Sequence, residues 1–186
     1  MSSTLVLATL KKTALLGLLL LMPAFAKSQS TDSSAVTDLL KEAKSHAVLA
    51  EEDAVTLESY TRSTMSWQSH GNRLTQMKVH ANDLINDFNK LKSMRPDGSP
   101  WQQEAIDRID PLLHEMADHL QATIDHFNDN KNRVQMPPYR DYAKANRELM
   151  SRTNQLISDF VDYGEAKTKA SLLEKSLELP VTAENE

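Results

Sequence analysis

Between Ser99 and Phe127 the chain reads SPWQQEAIDRIDPLLHEMADHLQATIDHF, and no other stretch limits the fold so severely. Ala105, Ile109, Leu112, Met116, His119 or Leu120, Thr123 and Phe127 recur at spacings of three and four. That spacing draws one apolar stripe down a helix. The helix start is written in the residues before it: Ser99 at the N-cap, Pro100 at the first helical position, Gln102 three residues after the serine. The serine oxygen and the glutamine side chain can then satisfy two amides that the helix itself leaves unpaired. A helix with a single apolar stripe is marginal alone in water and must lay that stripe against other helices.

Three further segments supply such partners. Val36, Leu40, Ala43, Ala47, Ala50, Ala54 and Leu57 alternate in steps of four and three, with Lys41, Glu42, Lys44, Glu51, Glu52 and Asp53 between them. This is a narrow, alanine-rich seam of the coiled-coil kind. Trp67, His70, Leu74, Met77, Ala81, Leu84, Phe88 and Leu91 form a second stripe, out of phase with the first. A turn therefore falls either at about Ser63 to Ser66, with Ser66 as N-cap, or at Gly71 with Asn72 as cap. The last stripe is Tyr139, Tyr142, Asn146, Leu149, Thr153, Leu156, Phe160 and Tyr163, widened by Ile157 and Val161. Past Gly164 it is continued by Ala170, Leu173 and Leu177.

The connections are punctuated. MRPDGSP, from Met94 to Pro100, stops one helix and starts the next, and NDNKNRVQMPP, from Asn128 to Pro138, is a polar link closed by two prolines. Pro111 lies inside the third stripe, where it removes a backbone donor and is expected to kink the rod. No alternating strand pattern and no internal repeat stands out. The expected fold is all-α: an antiparallel up-down-up-down four-helix bundle over residues 35–178, with helices at about 35–62, 66–94, 100–130 and 138–178. An acidic tail, residues 179–186, is expected to be disordered.

The beginning of the chain reads as an address. Met1 to Ala26 holds no acidic residue; Lys11 and Lys12 precede an apolar run, and Ala24-Phe25-Ala26 follows Pro23 as an A-x-A cleavage site. Between Lys12 and Lys27 stand 14 residues, short of the ~20 that a spanning helix needs. Residues 1–26 are thus expected to be a cleavable, bacterial-type signal peptide, followed by a flexible leader over residues 27–34. The expected destination is the periplasm or the medium, with the membrane met only transiently through the signal peptide.

Composition excludes several chemistries. There is no cysteine, which removes disulfides, thiolate metal sites, iron–sulfur clusters and a cysteine nucleophile. The formal charge is −5 and the body of the chain has no basic run, so nucleic acid is not an expected partner. Neither G-x-S-x-G, H-E-x-x-H nor a phosphate-cradling glycine loop occurs. Six histidines remain as metal ligands: His46, His70, His80, His114, His119 and His126. His70, His119 and His126 are the candidates, because an up-down bundle carries the start of helix two and the end of helix three to one end. No glutamate stands three residues before any histidine, unlike the Glu-x-x-His pattern of carboxylate-bridged di-metal bundles. Met77 and Met116 fall on stripes and read as core filling, not as haem ligands. Trp67 and Trp101 lie near opposite ends of the rods and read as end plugs; an exposed aromatic there would instead mark a docking surface.

No cofactor and no catalytic residue is expected. The expectation is an exported, non-catalytic bundle of the cell envelope that works as an interaction or structural module, through a protein partner or self-association. The competing expectation is a carrier that holds metal, haem or a small apolar molecule between its helices.

Overall fold

The structure, a computed structural model, describes residues 31–178. The proposed signal peptide, the first residues of the leader and the acidic tail lie outside the described residues. Four helices carry the fold: α1 (Ser34–Tyr60), α2 (Trp67–Met94), α3 (Pro100–Asp129) and α4 (Pro137–Ser176). No strand occurs among the described residues, so the chain is an all-α helical bundle. Single 3₁₀ turns, Arg95–Asp97 and Lys131–Arg133, sit in the α2–α3 and α3–α4 connections.

The local chemistry explains the ends. Ser33 caps α1 through its side chain, and Ser66 caps α2 by accepting the amide of Ser69 at 3.3 Å. Gly71 lies inside α2, so the break between the first two helices falls at residues 61–66. Pro111 lies inside α3, which runs through it without interruption. Asp32 and Ser33, expected to be part of a flexible leader, are held: Asp32 accepts from Trp101 Nε1 at 2.8 Å and from Lys167 at 3.2 Å. Ser33 is bonded to Gln102.

Each helix packs on its neighbours through the seams. Every seam residue expected on α1 is essentially solvent-free, and its alanines let α2 and α4 approach closely. Two stripes are rotated from the expected lines. On α3, Leu113 and Ile106 are buried while Leu112 is half-buried. On α4 the buried residues are Tyr139, Ala143, Asn146, Leu149, Met150, Thr153, Ile157, Val161 and Gly164. Tyr142, Leu156 and Phe160 are half-buried and Tyr163 is exposed. Gly164 ends that buried line, lying under the ring of Trp101.

Polar contacts across the seams follow one sense. Lys41 meets Glu165, Lys44 meets Asp162, Glu51 meets Asn154 and Glu58 meets Arg147, so numbers rise along α1 as they fall along α4. The same opposition links α1 to α2 (His46–Asp87, Asp53–His80), α2 to α3 (Lys92–Asp110, Arg95–Asp107) and α3 to α4 (Glu115–Arg152, Thr123–Asn146). No helix among the described residues is long and apolar enough to cross a membrane.

Candidate functional site

The three candidate histidines come together at one end of the bundle, on an aromatic cluster. His70 is fully buried on α2, edge-on to Tyr60 at 5.6 Å and to Tyr139 at 5.4 Å between ring centroids. His126 stacks on Tyr139 at 6.4 Å and leans on Tyr142 at 5.0 Å; His119 meets Tyr142 at 6.1 Å. Tyr139 is the ring that His70 and His126 share. Neither ring nitrogen of His70, nor Nδ1 of His119, nor the Tyr139 hydroxyl reaches a hydrogen-bond partner in the protein. Burial pushes the His70 imidazole below the ordinary histidine range, and it pushes the Tyr139 phenol up. His70 is therefore neutral near pH 7, surrounded by aromatic rings and not by carboxylates. Among the described residues no three ligating side chains converge on a point that could hold a metal ion.

A second constellation went unread in the sequence. On the α1–α2 seam, His46 Nδ1 lies 2.8 Å from Asp87 and His80 Nδ1 lies 2.8 Å from Asp53. Both aspartates are buried, and each also meets a cation: Arg73 at 2.5 Å from Asp53, Lys90 at 3.0 Å from Asp87. The two clasps are reciprocal, each helix giving one histidine and one aspartate seven residues apart. The signal was present. K-x-H-A-x₅-D-x₃-L-x-S runs from Lys44 and again from Lys78, an internal repeat that the apolar stripes obscured. A carboxylate buried without a partner costs several kcal/mol (~3–5), so these clasps set the register of α1 against α2. Glu58, also buried, is clasped by Arg62 and Arg147.

The tip beyond the aromatic cluster carries three exposed apolar side chains. The α1–α2 and α3–α4 connections meet there, joined by the Gln135 amide donating to Ser63 O at 3.0 Å. Between them lies a cleft of about 240 Å³ lined by residues 131–136 with Met65 and Trp67. Trp67 is 40% exposed, Met65 39% and Met136 55%. Lys131 Nζ stands 5.7 Å from the Trp67 ring, Arg133 lines the same cleft, and no carboxylate does. Trp101, at the opposite end, is an end plug, held by Asp32 and edge-on to Tyr163 at 5.6 Å. Trp67, unlike Trp101, is left 40% exposed.

The chain was compared with models of protein families, with curated proteins and with solved structures, and it matches none of them.

Proposed function

We propose that the chain is an exported, up-down-up-down antiparallel bundle that serves the cell envelope as a non-catalytic interaction module. Its docking surface is the tip at Trp67, and the partner it fits is an acidic, apolar segment of another protein. The opposed contacts on all four seams support the topology. The basic, apolar and A-x-A layout of Met1 to Ala26 supports export. One observation carries the function: three exposed apolar side chains surround a cleft whose only charged lining residues are Lys131 and Arg133. In a chain of formal charge −5, an acid-free cationic cleft with an aromatic at its mouth is the place for a negatively charged apolar partner.

Nuclear magnetic resonance titration tests this reading. A short peptide alternating leucine and glutamate should shift the amides of residues 63–67 and 131–136, and its lysine counterpart should not. Lys131→Glu with Arg133→Glu should remove the response. Equal shifts from both peptides, or shifts elsewhere on the bundle, would refute the docking tip. Metal analysis and an absorption spectrum of the purified protein address the carrier alternative: one equivalent of metal or a Soret band would replace the interaction reading. Amino-terminal sequencing of the exported product should begin at Lys27.

A further inference from the structure

Beyond Gly164, α4 leaves the bundle. Every residue from Glu165 to Glu178 is exposed, although the helix continues to Ser176 and the Leu177 amide still donates to Leu173 O at 2.9 Å. The expected continuation of the stripe is there but uncovered: Leu173 is 51% exposed and Leu177 64%. At 1.5 Å per residue this free segment is about 20 Å long, and a helix so short is marginal without something on its apolar face.

The order of residues along that face names what covers it. Ala166, Ala170, Leu173 and Leu177 follow at steps of four, three and four, the a and d positions of a coiled coil. Read against itself in the opposite direction, the seam sets Ala166 on Leu177 and Ala170 on Leu173, and by symmetry the converse. All four layers then hold one small and one large side chain. Paired in the same direction, it would stack alanine on alanine, leaving gaps, and leucine on leucine, crowding the layers. Charge agrees. Lys167 and Glu174 occupy the same flanking position, seven residues apart, and the opposed register brings Lys167 of each copy beside Glu174 of the other. Within its own chain Lys167 also meets Asp32 at 3.2 Å, so its ammonium would serve two carboxylates.

We propose that a second copy of this chain covers the segment, in an antiparallel two-fold pairing of residues 165–178. The proposal goes beyond the interaction reading: it adds a second partner, the protein itself, on a surface separate from the tip. Four seam side chains per copy bury less than the ~800 Å² per partner of a standard interface, so the dimer is weak, with a Kd of about 10–1,000 µM. Its two Trp67 tips would point away from each other, making the dimer bivalent.

Sedimentation equilibrium of the purified chain, across about 5 µM to 1 mM to bracket that range, should show monomer and dimer. Leu173→Asp with Leu177→Asp should raise Kd at least ~100-fold, with the four-helix bundle's far-ultraviolet signal and urea midpoint retained, because both side chains lie outside it. Lys167→Glu should weaken the dimer by about 3- to 10-fold, and adding Glu174→Lys should restore it, since the pair is then only reversed. The native chain has no cysteine, so a mixture of Ala170→Cys and Leu173→Cys chains should form the mixed disulfide in preference to either homodimer. A monomer at every concentration, a dimer indifferent to the aspartates, or Ala170→Cys preferring itself would each overturn the proposal. So would a monomer with slow amide exchange at 165–178, which would put another part of the same chain on the stripe. None of these outcomes touches the peptide response of the tip, so the two readings fail separately.

Discussion

Trp101 lies so close over Gly164 that a β-carbon at residue 164 would stand 2.6 Å from the ring, against the indole's Cη2. The ring cannot swing aside freely, because its Nε1 donates to Asp32 at 2.8 Å and its face is edge-on to Tyr163. Helix propensity alone would make alanine at residue 164 more stable by roughly 1 kcal/mol. Overlap at 2.6 Å should outweigh that gain. Gly164→Ala is expected to lose about 1–3 kcal/mol net, read as a lower urea midpoint. Gly71 supplies the contrast: its added carbon would meet only the rim of Phe127, at 3.1 Å. Gly71→Ala should be neutral or stabilising by up to ~1 kcal/mol. A Gly164→Ala variant more stable than Gly71→Ala would remove the plug at this end.

Gln102 ties two helix starts together at the same end. Its oxygen accepts the amides of Ser33 at 3.0 Å and Ser99 at 2.9 Å, and its nitrogen donates to Ser33 O at 2.8 Å and Thr37 Oγ1 at 2.9 Å. The side chain is fully buried. Gln102→Leu keeps most of the volume and strands two backbone amides, while Ser33 O keeps the Thr37 amide at 3.0 Å; the change should cost about 2–4 kcal/mol. Hydrogen exchange should rise first over the opening turns of α1 and α3. An effect confined to α3 would mean that the link to Ser33 carries no stability.

How far the sequence could be read depended on what each residue had to say locally. The α1 seam was legible because only apolar residues fill its four–three steps, and Ser66 was legible as a cap because α2 restarts out of phase. The α4 line was not. Apolar residues stand on both edges of its stripe, so periodicity alone cannot choose Tyr142 over Ala143 or Leu156 over Ile157. Asp53 and Asp87 were hidden because a charge at the margin of a seam usually belongs to the solvated face. Only the partner helix reveals the hydrogen-bonding side chain opposite. The free end of α4 was hidden for another reason: a stripe states that a cover is needed, not that the chain itself provides one.

The reciprocal clasps between α1 and α2 should behave as two separate couples. Asp53→Ala strands His80 and Arg73, and Asp87→Ala strands His46 and Lys90. The groups left behind are partly exposed and can be hydrated, so each substitution should cost only about 1–2 kcal/mol. Double-mutant cycles should give a coupling of at least ~1 kcal/mol for His46 with Asp87 and for His80 with Asp53. His46 with Asp53, seven residues apart on one helix, should be near additive. Strong coupling within α1 and none across the seam would contradict the clasps.

His70 should make the fold acid-sensitive in a defined window. Burial lowers its pKa below the ordinary 6.5 and leaves both ring nitrogens without partners. In the unfolded chain it takes up a proton near pH 6.5; in the folded chain it does so only at lower pH. The unfolded state therefore binds more protons between those two values. Stability from this residue is complete above about pH 6.5 and is lost as the pH falls toward the folded pKa, by at most ~1.4 kcal/mol per pH unit. His70→Phe keeps a flat ring edge-on to Tyr60 and Tyr139 and removes the titration. Chemical denaturation of both proteins from pH 7.5 down to about 5 isolates the residue, since contributions from every other group cancel in the difference. The variant should gain on the parent steadily below pH 6.5, and a difference that stays constant with pH would show that His70 takes its proton as readily folded as unfolded.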